Sequence, residues 1–418
     1  MSGGVKIRSA GAILALLTLL NFLNYVDRIL VSAVAPAFRD KLNLSNFTVG
    51  LVNSAFMFGY FLTSPLFGLV GDRPNESGRP IRTWLISLGV AVWSVATALS
   101  GLARSGIALI GARIGVGVGE ASYATLSPTI IDDLAPEGKS NRWLAIFYLA
   151  IPVGSALGFL LGGMLEEHFG WRAAFFICGG PGILLSIITL WIAEPARKKK
   201  AEDAAKFSAS HAIGSLLRAP MFVVATAGYC AYTFALGGFA AWAPTFLHDV
   251  HGAKLAEADF KFGVVAVLAG LIGTFAGAWL ADRGLDEHSS EEARVRRYLR
   301  FSGWATALAA PLAGYAIFAR SANAFYASIF VVEMLLFAST SPIAVVTLGA
   351  VPKSLRATAM AASIFAIHAF GDLISPPLVG LLRDQSNWRP AMAILPVAIA
   401  ASALLWVRGA RAPLERSA

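Results

Sequence analysis

Asp27 and Arg28 stand side by side in one long apolar stretch, and Arg113 and Glu120 stand seven residues apart in another. An ionisable side chain at membrane depth costs about 2.5–3.5 kcal/mol on insertion scales, so each needs a partner or a task. Asn21, Asn24 and Arg28 follow i, i+3, i+7 spacing and share one helical face, while Asp27 points about 100° away. A face of amides and a guanidinium suits a phosphate or carboxylate. Asn24 and Arg28 are therefore candidate substrate contacts, and Asp27 is expected to pair with a neighbouring helix. The competing reading gives both charges purely structural partners.

Arg113 and Glu120 share a face to within about 20° and lie about 10 Å apart along the axis. Gly115, Gly117 and Gly119 between them leave room for a neighbouring helix or a ligand. Desolvation opposes ionisation of a carboxyl and a nearby cation favours it. A group balanced between the two can hold a proton in one conformation and lose it in another. Glu120, Arg113 and Asp27 are thus the proton-coupling candidates, against the alternative of a fixed ion pair.

Further along, Glu333 and the pair His368 and Asp372 also fall in apolar runs. His368 and Asp372 are one turn apart and can interact on one face. By position along their helices, Glu333 and Asp372 lie at the depth of Arg28, as polar groups of a central cavity would. Glu333 and His368 are taken as substrate contacts, with Tyr229, Tyr232 and Phe234 as candidates to line the path of an apolar tail. Two ligand types with no third nearby make a metal site at His368 and Asp372 a poor reading, and no metal or other cofactor is expected. Asp72, Arg73 and Arg79, with Asp282 and Arg283, sit at helix ends and read as gating residues whose bridges break as a gate opens. His-Glu-x-x-His, a phosphate-binding Gly loop and a Gly-x-Ser-x-Gly elbow are all missing. Catalytic residues are accordingly assigned to none.

These charges need elements to carry them. Of 418 residues, 56% are apolar and only 14% charged, against about 25% charged in a soluble domain. Lipid must be the solvent, and the chain reads as an all-α membrane protein. Apolar runs lie near 9–38, 47–71, 82–103, 105–132, 141–165, 172–193, 221–248, 260–282, 298–319, 322–350, 355–383 and 389–408; each reaches the roughly 20 residues a span needs. Twelve spans put both termini on one side. That side carries about 23 Lys and Arg, the other about 9, so the termini are expected in the cytoplasm. Net charge +9 is spent on these links. No basic stripe interleaved with aromatics suggests nucleic acid. Cys178 and Cys230 lie in apolar runs and read as packing residues.

The chain repeats itself. Ala35-Pro36-Ala37-Phe38 is matched by Ala243-Pro244-Thr245-Phe246 at an offset of 208, and Asp72-Arg73 by Asp282-Arg283 at 210. Gly154, Gly163 and Trp171-Arg172 recur 217 residues on as Gly371, Gly380 and Trp388-Arg389. Two pseudo-symmetric six-helix bundles, 1–193 and 220–418, joined by a polar cytoplasmic linker at 194–219, are a transporter design. The Gly154, Gly158, Gly162 stripe should pack the fifth span tightly, and Pro376-Pro377 should bend the eleventh.

Gly68-Leu-Val-Gly-Asp72-Arg73, followed by Gly78-Arg79, resembles the cytoplasmic signature of the major facilitator superfamily, with four residues between Asp-Arg and Gly-Arg instead of one. Asn21-Phe-Leu-Asn24-Tyr-Val-Asp27-Arg28, with Arg113-Ile-Gly-Val-Gly117-Val-Gly119-Glu120-Ala-Ser-Tyr, resembles the spinster-type lysolipid transporters. The resemblance implies a multi-pass cell-membrane protein, expected as a monomer surrounded by membrane lipids. It implies alternating access, proton coupling and an amphiphilic anionic lipid, such as a lysophospholipid or a sphingosine-1-phosphate-like molecule. A proton-coupled symporter of small organic anions is the rival within the superfamily, and a non-transporting receptor or scaffold the rival outside it.

Overall fold

The computed structural model describes residues 6–71, 80–136, 139–195, 209–285, 290–352 and 355–411. The chain separates into two compact units: Met1–Lys200 with Lys254–Gly263, and Ala201–Ala253 with Val264–Ala418. The short segment Lys254–Gly263 thus groups with the first unit, where the sequence repeat places it in the second half. Regular structure among the described residues is helical, apart from one isolated bridge between Ile7 and Ile192.

The first unit contains α1 (Ala10–Ala33), α2 (Ala35–Leu42), α3 (Asn46–Gly71), α4 (Ile81–Leu102), α5 (Gly106–Leu134), α6 (Ser140–Tyr148), α7 (Ala150–Phe169) and α8 (Trp171–Thr189). Local chemistry sets the boundaries. Ser9 and Ser105 cap α1 and α5, accepting from Ala12 N and Ala108 N. Pro36 lies in the first turn of α2, where its missing N–H costs nothing, and breaks α2 from α1 at Val34. Asn43, at φ 51°, ends α2 in the left-handed region.

Glycine sets how closely these helices meet. A Cβ on Gly117 would lie 1.8 Å from the Phe56 carbonyl oxygen of α3, and one on Gly119 would lie 2.4 Å from the Gly89 oxygen of α4. The α5 glycines are therefore filled by neighbouring helices. Gly154, Gly158 and Gly162 bring α7 against Phe22, Ile29 and Ala33 of α1, as the fourfold spacing requires. Ile86, Val90, Trp93, Tyr123, Leu126 and Phe147 form the core on that frame.

The second unit contains α9 (Ala209–Leu217), α10 (Pro220–His251), α11 (Leu255–Asp282, beginning in the first unit), α12 (Glu291–Phe318), α13 (Ala322–Phe337), α14 (Thr340–Gly349), α15 (Arg356–Ile367), α16 (Ser375–Gln385), α17 (Trp388–Met392) and α18 (Ile394–Gly409). Ser290 and Ser321 cap α12 and α13, and Gly252, at φ 66°, closes α10. Between α15 and α16 the chain makes a π-helical turn, His368–Asp372. Pro376 and Pro377 fall in the first turn of α16, so the bend they announce is made by the residues ahead of them.

Among the described residues, eleven helical stretches are long and apolar enough to cross a membrane. The twelfth span is α5, 29 residues long, whose apolar run is interrupted by Arg113, Glu120 and several glycines. Side chains such as Ile107 (84% exposed) and Phe275 (75%) project outward, which water would penalise and lipid does not.

Candidate functional site

Asp27 and Arg28 of α1 and Arg113 and Glu120 of α5 form one cluster, joined by Thr97 of α4. Arg28 Nη2 donates to Glu120 Oε2 at 2.7 Å. Arg113 Nη1 faces Asp27 Oδ1 at 4.0 Å, and the Thr97 hydroxyl of α4 donates to Asp27 Oδ2. The pairing is crossed: adjacent residues of α1 each meet a residue of α5, seven positions apart. Glu120 is thus held by Arg28, and Arg113 serves Asp27, the neighbouring-helix partner that the orientation of Asp27 requires. Two cations and two carboxyls leave the cluster formally neutral, the condition under which such charges persist at membrane depth.

The two pairs differ in access. Arg113 and Asp27 are 1% and 3% exposed, whereas the Arg28 side chain remains 20% exposed beside a Glu120 at 1%. The Arg28 guanidinium lies 4.8 Å from the Tyr25 ring and 4.6 Å from that of Phe56, a desolvated cation–π setting. Several buried polar atoms of the cluster lack hydrogen-bond partners among the described residues: Asn24 Nδ2, Arg28 Nε, Arg113 Nε and Glu120 Oε1. Asn21 is committed elsewhere, donating from Nδ2 to the Phe147 carbonyl at 2.9 Å. Asn24 and Arg28 are left as the groups of that face with hydrogen-bonding capacity to spare.

Along α1 towards its N-terminus runs an apolar groove of about 540 Å³, lined by Leu14, Thr18 and Phe22 of α1 and by Ile146, Ala150 and Val153. Leu14, Thr18 and Tyr25 fall on one face of the helix, so the groove leads towards the ring that covers Arg28.

In the second unit, Glu333 is 4% exposed, and its Oε2 has no partner among the described residues. His368 Nδ1 lies 2.9 Å from Asp372 Oδ2 across the π turn. Tyr232 packs on Tyr229 and Trp406, with its hydroxyl 3.4 Å from Thr340 Oγ1; at 2% exposed it belongs to the core of this unit. No group of three potential metal ligands occurs among the described residues, and Cys178 and Cys230 are free thiols.

Asp72, Arg73 and Arg79 lie outside the described residues. Asp282 accepts from the Tyr298 hydroxyl, and Arg283 lies over Trp279 at 5.3 Å. One buried ionic node at a helix end was not singled out in the sequence. Arg82, 2% exposed, donates to Asp133 at 2.6 Å and Glu194 at 2.9 Å, and to the Pro195 carbonyl at 3.2 Å. The signal was present: an Arg opening one span, a carboxylate pair closing the next, and Glu194 where the polar link begins. Phe56 and Thr97, both essential to the cluster, carry no such signal.

The fold and this intramembrane cluster define a polytopic carrier. The Major Facilitator Superfamily model matches residues 17–369, and the chain belongs to that superfamily and, within it, to the spinster family. It is 33% identical to "Probable sphingolipid transporter spinster homolog 2" of Arabidopsis thaliana, over 93% of this chain and 84% of that one. It is 32% identical to "Protein spinster homolog 1" of Homo sapiens, over 93% and 76%. The crystal structure of a bacterial homologue of the human lysosomal transporter spinster, inward-facing and unoccupied, superposes with a TM-score of 0.82 at 22% identity over 98% of both chains. The protein is a spinster-type transporter, a multi-pass membrane protein, and not an enzyme.

Proposed function

We propose that this chain is a proton-coupled secondary transporter of an amphiphilic lipid with an anionic head, such as a lysophospholipid or a sphingosine-1-phosphate-like molecule. It works by alternating access in the cell membrane, with both termini in the cytoplasm. The observation that carries the reading is the Arg28–Glu120 pair, in which the more accessible cation of a neutral cluster is held by a fully buried carboxylate. Protonating Glu120 frees Arg28 and leaves the cluster with one excess positive charge. An anionic head group restores neutrality, through charge-assisted hydrogen bonds to Arg28 and through Asn24 Nδ2. Proton binding and anion binding therefore favour one another, a reciprocity that linkage demands.

Arg113 and Asp27 keep the cluster balanced behind that exchange. The groove along α1 supports a lipid over a small organic anion, because it continues the Tyr25 face with apolar side chains. The relatives named as sphingolipid transporters point the same way. Glu333 and His368 are further candidate contacts in the second unit, and Asp282 and Arg283, with Asp72, Arg73 and Arg79, are gating candidates.

The test is movement of a labelled lysolipid in proteoliposomes, with and without an imposed pH gradient, beside a Glu120→Gln protein. Gradient-driven movement that Glu120→Gln abolishes is the expected result. Movement indifferent to the gradient would remove the proton assignment. Failure to move lysolipid, with small organic anions transported, would remove the lipid.

A further inference from the structure

The groove along α1 has a counterpart in the second unit, and the two are built from equivalent positions of the internal repeat. Thr18, Leu19 and Phe22 line the first; Thr226, Ala227 and Cys230, 208 residues later, line the second. Ile146 and Ala150 are answered at an offset of 216 by Ala362 and Ala366. Even the buried Thr18 and Thr226 hydroxyls agree, each lacking a hydrogen-bond partner among the described residues. The second groove encloses about 390 Å³.

Two features distinguish it. Ile213, Leu216 and Leu217 of α9 form part of its wall, and the opposite wall extends to Phe370, a side chain 64% exposed on the π turn. Arg218 follows Leu217 directly and precedes the Phe222 wall; it is exposed and makes no side-chain contact with an acidic group among the described residues. The stretch from Arg197 to Arg218 carries six basic residues against two acidic. No ionisable residue other than Cys230 lines the groove.

We propose that this groove, walled by α9, α10 and α15, is a site for one acyl chain of a resident anionic membrane phospholipid, whose head group is held by Arg218. A cation beside an apolar slot at the end of a span is complementary to such a lipid. Basic groups bordering a membrane draw anionic head groups. The chain removes from water and from loose packing the apolar faces of Ile213, Leu217 and Phe370, and it ties α9 to α10 and to the π turn. This site does not depend on which molecule the protein transports.

The experiment is native mass spectrometry of the detergent-purified protein titrated with phosphatidylglycerol or phosphatidylcholine. We expect a first phosphatidylglycerol to bind at least tenfold more tightly than phosphatidylcholine. Ala227→Trp, which fills the groove from an exposed position, should remove that adduct. Arg218→Gln should reduce the preference between the two lipids to under threefold. Leu19→Trp, the equivalent change in the first groove, should leave it intact; thermal unfolding establishes that each variant is folded. Undiminished phosphatidylglycerol binding in folded Ala227→Trp would overturn the proposal. So would loss of the adduct in Leu19→Trp alone, equal binding of the two lipids by the unaltered protein, or displacement of the adduct by an equimolar single-chain lysolipid.

Discussion

At the scale of single residues, the arrangement assigns different duties to two arginines of the same cluster. Arg113 is sealed against Asp27, whereas Arg28 keeps one side open. Removing one partner of a buried ion pair strands the other and typically costs 3–5 kcal/mol, roughly. Both Arg113→Leu, which strands Asp27, and Arg28→Leu, which strands the equally buried Glu120, should therefore lower the unfolding temperature in detergent, and adding Glu120→Gln to Arg28→Leu should recover most of its loss. The folded Arg28→Leu, Glu120→Gln protein is expected to bind no lysolipid; wild-type affinity in that variant would mean that Arg28 is a structural cation. Glu120→Gln isolates the proton. On the proposed exchange of a proton at Glu120 for an anion at Arg28, wild-type affinity for an anionic lysolipid should rise as pH falls. Glu120→Gln should bind with a pH-independent affinity close to the wild-type low-pH value, read by equilibrium binding across a pH series. These placements were partly legible in the sequence. The types and depths of Asp27, Arg28, Arg113 and Glu120 followed from cost and periodicity; the crossed pairing did not, because one helix's periodicity does not say which residue of its neighbour faces it.

Elements were easier to read than contacts. Apolar length marks a span, and Ser9, Ser105, Ser290 and Ser321 mark where spans begin. Interruptions were harder: α6 gives way to α7 at Leu149 and α13 to α14 at Ala338–Ser339, within runs that composition alone leaves continuous. The π turn at His368–Asp372 is of the same kind. Its extra residue in the turn is fixed by what α15 and α16 pack against, including Gly371 beneath the Thr233 hydroxyl, and not by any local breaker. The α5 glycines are the reverse case, visible in sequence and explained only by neighbours. Gly117→Leu would drive a side chain into the Phe56 backbone, while Gly111, on the same helix, has open space where its Cβ would lie. Overpacking costs typically 1–3 kcal/mol, roughly, and more where backbone must shift. Gly117→Leu is thus expected to reduce the yield of monodisperse protein severalfold in size-exclusion profiles. Gly111→Leu should match wild type; a similar profile for both variants would show that α3 and α5 can separate without loss.

At the scale of the molecule, what the sequence held most plainly was duplication, and the structure extends it from motifs to grooves. Repeats survive because each half must present the same kind of helix to lipid and to its neighbours; Glu333 lies 213 residues after Glu120, between the offsets of the flanking repeats, whereas positions 323–330, which answer Arg113, hold no basic residue. Orientation belongs to this scale as well, because it is set by the sum of many links and by no single one. About 23 basic residues fall on the side of the termini against about 9 on the other, the bias on which the proposal of cytoplasmic termini rests. In a background with Cys178 and Cys230 replaced by Ser, a membrane-impermeant maleimide added to intact cells should label Ser45→Cys, which lies exposed between α2 and α3, and not Ser417→Cys. Permeabilising the cells should bring Ser417→Cys to the same labelling. The opposite pattern would invert the assignment of sides and place Arg218 and α9 at the outer leaflet. There anionic phospholipid is scarce in most membranes, so the outcome would bear on the second groove as directly as on the topology.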